Sequence, residues 1–334
     1  MAEQQYPPWK EMLDEFRAIG GTAENLELRQ GRFGRGLFPR DISKPVRLHI
    51  PESLLIDVEH LVFENNVVRV GSAAQIDARA RAFLEAYERD FSWGVSRHET
   101  EKLLQMVHDA PPEIRELLKT PFGAERWTRG VAPKTVAEQY FGSRAIHYKG
   151  RAVVMPIVEL ANHGHGAQYE VGNGIGLSGR FSGEILVRYG VRDPLDVFTT
   201  WGFASAEELF ALSLPMELAK ARIIIRRQEI RESNANPFVP DVTVRNNLIT
   251  LSHMLLGHKK FPRLARGLFY KTMLDAGLEN PGELFEFIQH TSRMQWYRLL
   301  AASESCAEPL GGLLRQVARY QLECMSHSIG ARKI

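Results

Sequence analysis

Apolar residues open the chain at helical spacing. Trp9, Met12, Leu13, Phe16 and Ile19 fall on one stripe, which predicts a short amphipathic helix within residues 1–20, ended by Gly20-Gly21. The period then drops to two. Across residues 25–56, Leu26 and Leu28 alternate with polar neighbours, a turn follows at Gly34 to Gly36, and Val46, Leu48 and Ile50 alternate again before Pro51. From about residue 73 to 145 the helical period returns. Ile76, Ala80, Phe83, Leu84, Tyr87 and Phe91 share a face. Ser96 with Glu99 forms a capping-box signature ahead of Leu103, Leu104 and Val107, and a further helix is expected from about Lys134 to Phe141. Two short strands are then expected, Ala152 to Ile157 and Ile185 to Tyr189. Ser205 with Glu208 is a second capping box that predicts a helix start. Residues 206–334 read as mostly helical, with Asn280-Pro281 opening a helix and Leu310, Leu313, Leu314, Val317 and Tyr320 forming a last stripe. The expected class is α+β: a β-rich domain split by a helical insert, followed by a mostly helical lobe.

Composition narrows the functional classes. With 44% hydrophobic and 25% charged residues, the chain reads as an ordinary soluble globular protein. A net charge of +2 offers no basic footprint, so no nucleic-acid partner is expected. The basic run ARIIIRRQEIR, from Ala221 to Arg231, reads as a solvated helix face. Two cysteines, Cys306 and Cys324, make neither a disulfide framework nor a zinc cluster, which fits a reducing compartment. No apolar run suggests a signal peptide or a membrane span. The expectation is a cytoplasmic protein without membrane attachment, and, lacking a legible heptad, a monomer.

Three familiar motifs lack the context their chemistry needs. Gly174-Ile-Gly176-Leu-Ser-Gly179 has the spacing G-x-G-x-x-G, but a strand follows it where dinucleotide binding needs a helix, so a glycine-rich hairpin or loop is expected. His163 and His165 lack a third ligand of suitable spacing, and no metal is expected. No G-x-S-x-G elbow is present.

What remains is an ordered series: Gly34-Arg35-Gly36 leading to His49-Ile50-Pro51, Phe141-Gly142-Ser143-Arg144, Glu159-Leu-Ala-Asn162-His163, Gly183-Glu184-Ile185 to Tyr189-Gly190, and Trp201-Gly202-Phe203. Together these residues resemble the SET domain over about residues 21–205. The helical insert at about 73–145 and the lobe at 206–334 make the chain similar to the Rubisco large-subunit methyltransferase-like branch. The chain departs from that pattern in having Gly164 in place of Ser or Cys and Trp201 in place of Tyr, and it lacks the cysteine-rich zinc segment of histone-type members.

The resemblance implies a methyltransferase that uses S-adenosylmethionine and acts on a lysine of a non-histone protein. A histidine acceptor is the alternative, as is a SET fold kept only as a binding module. Implied donor contacts are Gly34, Arg35 and Gly36 through their backbone, Arg144 toward the donor carboxylate, Asn162, His163, Glu159 and Phe203. Glu159 reads equally as a strand-end surface charge, and Phe203 equally as core. Tyr189 is the implied catalytic residue. A lysine arrives charged, with an ordinary pKa of ~10.4, and an apolar channel ending in a tyrosine hydroxyl would favour and orient the neutral amine. Trp201 is the implied channel wall, with core packing as its other reading.

Overall fold

A computed structural model describes residues 9–228, 230, 236–279 and 281–326. In chain order it begins with α1 (Trp9–Ala18), β1 (Thr22–Glu24), β2 (Leu26–Gly31), β3 (Gly34–Pro39), β4 (Val46–Pro51), β5 (Ile56–Asp57), β6 (Leu61–Glu64) and β7 (Val67–Val70). The helices α2 (Ala78–Asp90), α3 (Trp93–His108), α4 (Pro112–Lys119) and α5 (Pro133–Gly142) follow. Strands resume as β8 (Ile146–Tyr148), β9 (Arg151–Val154), β10 (Asn162–Ala167), β11 (Glu170–Gly172), β12 (Gly174–Gly179) and β13 (Leu186–Val187), then α6 (Pro194–Trp201). The remainder comprises β14 (Phe210–Leu212), β15 (Met216–Leu218), β16 (Ile223–Ile225), β17 (Val242–Arg245), β18 (Leu248–Leu251), β19 (Leu255–His258), α7 (Leu264–Asp275), α8 (Gly282–Ser303) and α9 (Leu310–Ser326). The class is α+β.

The chain folds as two compact units. One comprises Met1–Lys102 and Val131–Tyr189, the other Leu103–Gly130 and Gly190–Ile334. In the first, β1, β4, β12 and β11 make an antiparallel sheet in that order. The alternation at Val46, Leu48 and Ile50 places all three in the core, as a strand with one buried face requires. The glycine run 174–179 is the second strand of the β11–β12 hairpin, and it lies directly against β4. A Cβ on Gly174 would stand 2.1 Å from the Ile50 carbonyl oxygen, so this glycine serves close strand approach. The helices of this unit bury aromatics: Phe16 and Phe83 stack at 5.7 Å, and Trp93 and Phe141 at 5.7 Å. Asp77 caps α2 by accepting from the Arg79 and Ala80 amides. The expected cap at Ser96 is not one. The helix already starts at Trp93, and the Ser96 hydroxyl accepts from Arg35 instead.

Among the described residues of the second unit, the α-helical character expected from residue 206 begins at Leu264. Ser205 bonds Glu208 at 3.3 Å, yet the chain continues into β14, which pairs with β19. The Ile223-Ile224-Ile225 triplet is strand β16, held between antiparallel β15 and parallel β18. Ile223 and Ile225 are fully buried, so the basic residues around them flank a core strand and do not belong to a helix face. Asn280 lies outside the described residues, and α8 proceeds from Gly282 with Phe285, Ile288 and Trp296 buried. Cys306 and Cys324 are buried free thiols. Among the described residues no helix is long and apolar enough to cross a membrane.

Candidate functional site

The β2–β3 hairpin sets one side of the candidate site. Its register pairs Gly31 with Gly34 and Arg29 with Gly36. Both Gly31 and Gly36 lie under the Glu184 side chain: a Cβ on Gly31 would meet its Oε2 at 2.5 Å, and one on Gly36 its Oε1 at 2.3 Å. Asn162 fills the same cradle. Its amide nitrogen donates to Glu184 Oε1 at 2.6 Å and to the Arg35 carbonyl at 3.0 Å. Ile185 donates its amide to the Leu37 carbonyl at 2.8 Å, which holds the segment after Glu184 on the hairpin. The Arg35 guanidinium points elsewhere, onto the Phe91 carbonyl (2.9 Å) and Ser96 (2.8 Å). It is the Arg35 carbonyl that meets Asn162 here.

Glu159 reaches the interior through an unusual turn. Ile157 sits at φ 71° and ψ −53° just before the short 3₁₀ turn Val158–Leu160. For a β-branched residue that conformation costs roughly 1–3 kcal/mol, so the surrounding packing must hold it. The result is a buried carboxylate, not a surface charge. Tyr87 donates its hydroxyl to Glu159 Oε1 at 2.8 Å. The other oxygen, Oε2, is 3.7 Å from Arg144 Nη1 and accepts no hydrogen bond among the described residues. The Arg144 guanidinium lies 4.5 Å from the Tyr140 ring centroid. Burial opposes its charge, but Tyr140 and Glu159 hold its pKa above the ordinary value.

Glu88 completes this cluster. It is buried, and its Oε2 accepts from the Trp93 amide at 3.4 Å. Burial first, then the charge of Glu159, pushes its pKa up to about 8 from 4.5. The folded chain therefore holds a proton there that the unfolded chain releases above about 4.5. Its contribution to stability is complete at low pH and is lost as pH rises from about 4.5 through about 8. Glu88→Gln removes this dependence. The variant is expected to be more stable than wild type at pH 8.5, by about 1–3 kcal/mol, and to lose that advantage by pH 5. Denaturant unfolding at the two pH values checks it.

Tyr189 stands at the end of the β13 segment. Its hydroxyl donates to the Ala161 carbonyl at 2.7 Å, and its ring lies 5.0 Å from the His163 ring. Asn162 and His163 open β10, which runs parallel to β13 with Asn162 opposite Leu186 and His163 opposite Val187. This pairing is what brings Tyr189 back beside residues 161–163. Gly164 follows from the same packing, since a Cβ there would stand 2.8 Å from Leu186 Cδ1. Burial raises the Tyr189 phenol to about 12, with Arg144 acting against the rise. At neutral pH it is a neutral hydroxyl and not a base.

The first unit thus brings together Gly34, Gly36, the Arg35 backbone, Arg144, Glu159, Asn162, His163 and Tyr189. Trp201 and Phe203 belong to the second unit. There Trp201 ends α6, and the Arg192 guanidinium lies 5.7 Å from its ring. Gly202 caps the helix at φ 78°, a left-handed conformation suited to glycine. A Cβ on it would meet Leu103 at 2.4 Å. Asp57, Glu59 and His60 offer ligand atoms within 4.8 Å of one another. Arg151 stands 3.4 Å from Asp57, however, and no metal is assigned to this cluster.

No protein-family model matches the chain, and no curated protein matches it. Among solved structures, the SET domain of LSMT bound to lysine and AdoHcy is similar at 13% identity and a TM-score of 0.45, covering 96% of this chain and 90% of that one. Rubisco LSMT bound to AdoMet is similar at 13% identity and a TM-score of 0.42, covering 97% and 90%.

Three residues of the site escape the sequence pattern. Tyr87 and Glu88 lie on a helix whose apolar stripe makes them look like core and surface, and Tyr140 sits next to core residue Phe141. Glu184 does have a signal: it follows Gly183 at the head of the expected strand. Its role on the hairpin glycines appears only in three dimensions.

Proposed function

We propose that the chain is an S-adenosylmethionine-dependent protein-lysine methyltransferase of the SET type, acting on a non-histone protein. The observation that carries this reading is the Tyr189 hydroxyl held on the Ala161 carbonyl, immediately before Asn162-His163 and within electrostatic reach of Arg144 and Glu159. Three stretches of the chain, at Arg144, Glu159 to His163 and Tyr189, converge there, and an ordinary core gains nothing from that combination of polar groups.

The residues present fit the donor. Its amino-acid end carries a carboxylate and an ammonium. Arg144, whose side chain keeps 24% of its surface open, offers a guanidinium to the former. Glu159 Oε2, buried and without a hydrogen bond among the described residues, offers an acceptor to the latter. Asn162, His163 and the backbone at Gly34 to Gly36 would complete the hold. When bound, the donor supplies an electrophilic methyl group. The chain's own contribution is positional. Tyr189 donates its proton to the Ala161 carbonyl, so toward an amine N–H its oxygen would act as an acceptor. A phenol with a pKa of about 12 cannot take the lysine's proton, so Tyr189 orients an amine already neutral.

Incubating the purified chain with isotope-labelled donor and a cell lysate, then mapping label by mass spectrometry, tests this. Label on lysine side chains is the expected result. Label on histidine would move the acceptor, and absence of label across several lysates would sink methyl transfer.

A further inference from the structure

A cleft of about 870 Å³ opens in the second unit, at the β19–α7 connection. That is the size of a pocket for a small ligand or for a few peptide side chains. Its apolar lining includes Phe238, Phe261, Pro262 and Leu268. The aromatic wall is continuous: Phe210 to Phe238 at 5.0 Å, Phe238 to His258 at 5.5 Å, and His258 to Phe261 at 4.9 Å. His258 also fixes the loop. Its Nδ1 accepts from the Lys260 amide at 3.1 Å and from the Phe261 amide at 3.3 Å. A ring nitrogen used as an acceptor belongs to a neutral imidazole. Burial, helped by Lys260, lowers the His258 pKa in the same direction. The floor is therefore uncharged, and the cleft's charge comes from its rim.

That rim is cationic. Lys260 and Arg263 line the cleft and are exposed. Neighbouring cations are paired: Lys259 with Glu323 at 3.4 Å, and Arg266 with Glu286 at 3.2 Å. Among the described residues, neither Lys260 nor Arg263 has a carboxylate partner. Between them Phe261 keeps 58% of its surface in water. A large aromatic left exposed between two exposed cations marks an interaction surface, where aromatic and Arg residues concentrate binding energy. Asn236 adds a polar group suited to main chain. Its side-chain oxygen accepts from the Phe238 amide at 3.1 Å, and its NH₂ is left to donate to a peptide carbonyl.

We propose that this cleft docks an acidic peptide segment of a protein partner, with one aromatic or aliphatic side chain seated against Phe238 and Phe261 and flanking carboxylates paired with Lys260 and Arg263. The charge of the rim selects the carboxylates, and the aromatic wall selects the anchor. The proposal stands whether or not the first unit transfers methyl groups.

Fluorescence anisotropy of the full chain with three fluorescein-labelled peptides tests it: GDEFEDG, the basic GKKFKKG, and the anchorless GDESEDG. The acidic Phe peptide is expected to bind at least ~10-fold more tightly than either control, and more weakly as salt rises. The paired substitution Lys260→Glu with Arg263→Glu is expected to remove that preference, and Phe261→Ser to bring the Phe peptide down to the anchorless one. All three residues are exposed, and circular dichroism melts should match wild type. Equal binding of acidic and basic peptides, no binding of the acidic Phe peptide, or unchanged binding by the charge-reversed variant would overturn the proposal.

Discussion

Tyr189→Phe is expected to cut methyl transfer by about 10²–10³-fold while leaving donor affinity within a few-fold of wild type. The substitution removes one oxygen and little else. The ring keeps its contact with His163, 5.0 Å between centroids, so β10 and β13 should stay in register. What is lost is a hydroxyl whose proton is committed to the Ala161 carbonyl at 2.7 Å. That bond fixes where the oxygen lone pairs point, and an acceptor amine needs such a guide to meet a methyl group in line. Burial keeps the phenol near 12, so the loss should not vary with pH across the neutral range, as it would if Tyr189 were a base. Initial-rate measurements with labelled donor, beside calorimetric donor binding, separate the two effects. A variant with wild-type turnover would remove Tyr189 from the reaction. A variant that no longer binds donor would make it a binding residue only.

The legibility of the fold varied with how many faces a strand buries. β2 and β4 each bury one face, and alternation at Leu26, Leu28, Val46, Leu48 and Ile50 exposes them in the sequence. β16 buries Ile223 and Ile225 on one face, half-buries Ile224 on the other and pairs on both edges, so its three isoleucines carry no period, and the flanking arginines suggest a helix. Ser205 with Glu208 made the same local signal as a helix start, but pairing of Phe210 with His258 across β14 and β19 overrode it. β10 is glycine-rich and carries no apolar period, whereas β13 lies within the strand expected at Ile185 to Tyr189. At the site, Gly36, Asn162 and Tyr189 stand out because glycine, amide and phenol interrupt apolar runs. Tyr87 does not, since a tyrosine at a core position looks apolar until its hydroxyl finds Glu159.

The largest stability loss is expected at Asp193, outside the candidate site. Asp193 caps α6 and is fully buried. Its carboxylate accepts from the Asp196 amide (2.9 Å), the Leu212 amide (2.9 Å), the Gln321 side chain (2.6 Å) and Arg227. Those partners belong to α6, β14, α9 and the segment after β16, so one side chain ties four parts of the second unit together. Arg227 also reaches Asp196 Oδ1 at 3.1 Å and the Ser213 carbonyl at 3.1 Å, with 9% of its side chain exposed. Asp193→Ala would strand this guanidinium and leave the Leu212 amide and Gln321 without their acceptor. Removing one partner of a buried ion pair costs about 3–5 kcal/mol, because the other charge stays desolvated. In the native chain burial raises the Asp196 pKa to about 6, against the pull of Arg227, and the Asp193 charge adds to the rise. Asp193→Ala removes that charge and leaves Asp196 facing Arg227, so its pKa should fall; wild type then gains more stability than the variant as pH drops from 7.5 to 5.5, and the deficit should widen. Replacing both partners, Asp193→Leu with Arg227→Met, should recover much of the loss, since no charge then remains buried. Denaturant midpoints for the single and double variants at both pH values decide it. If Asp193→Ala costs under about 1 kcal/mol, the pair is a surface-like contact and not the anchor of this unit.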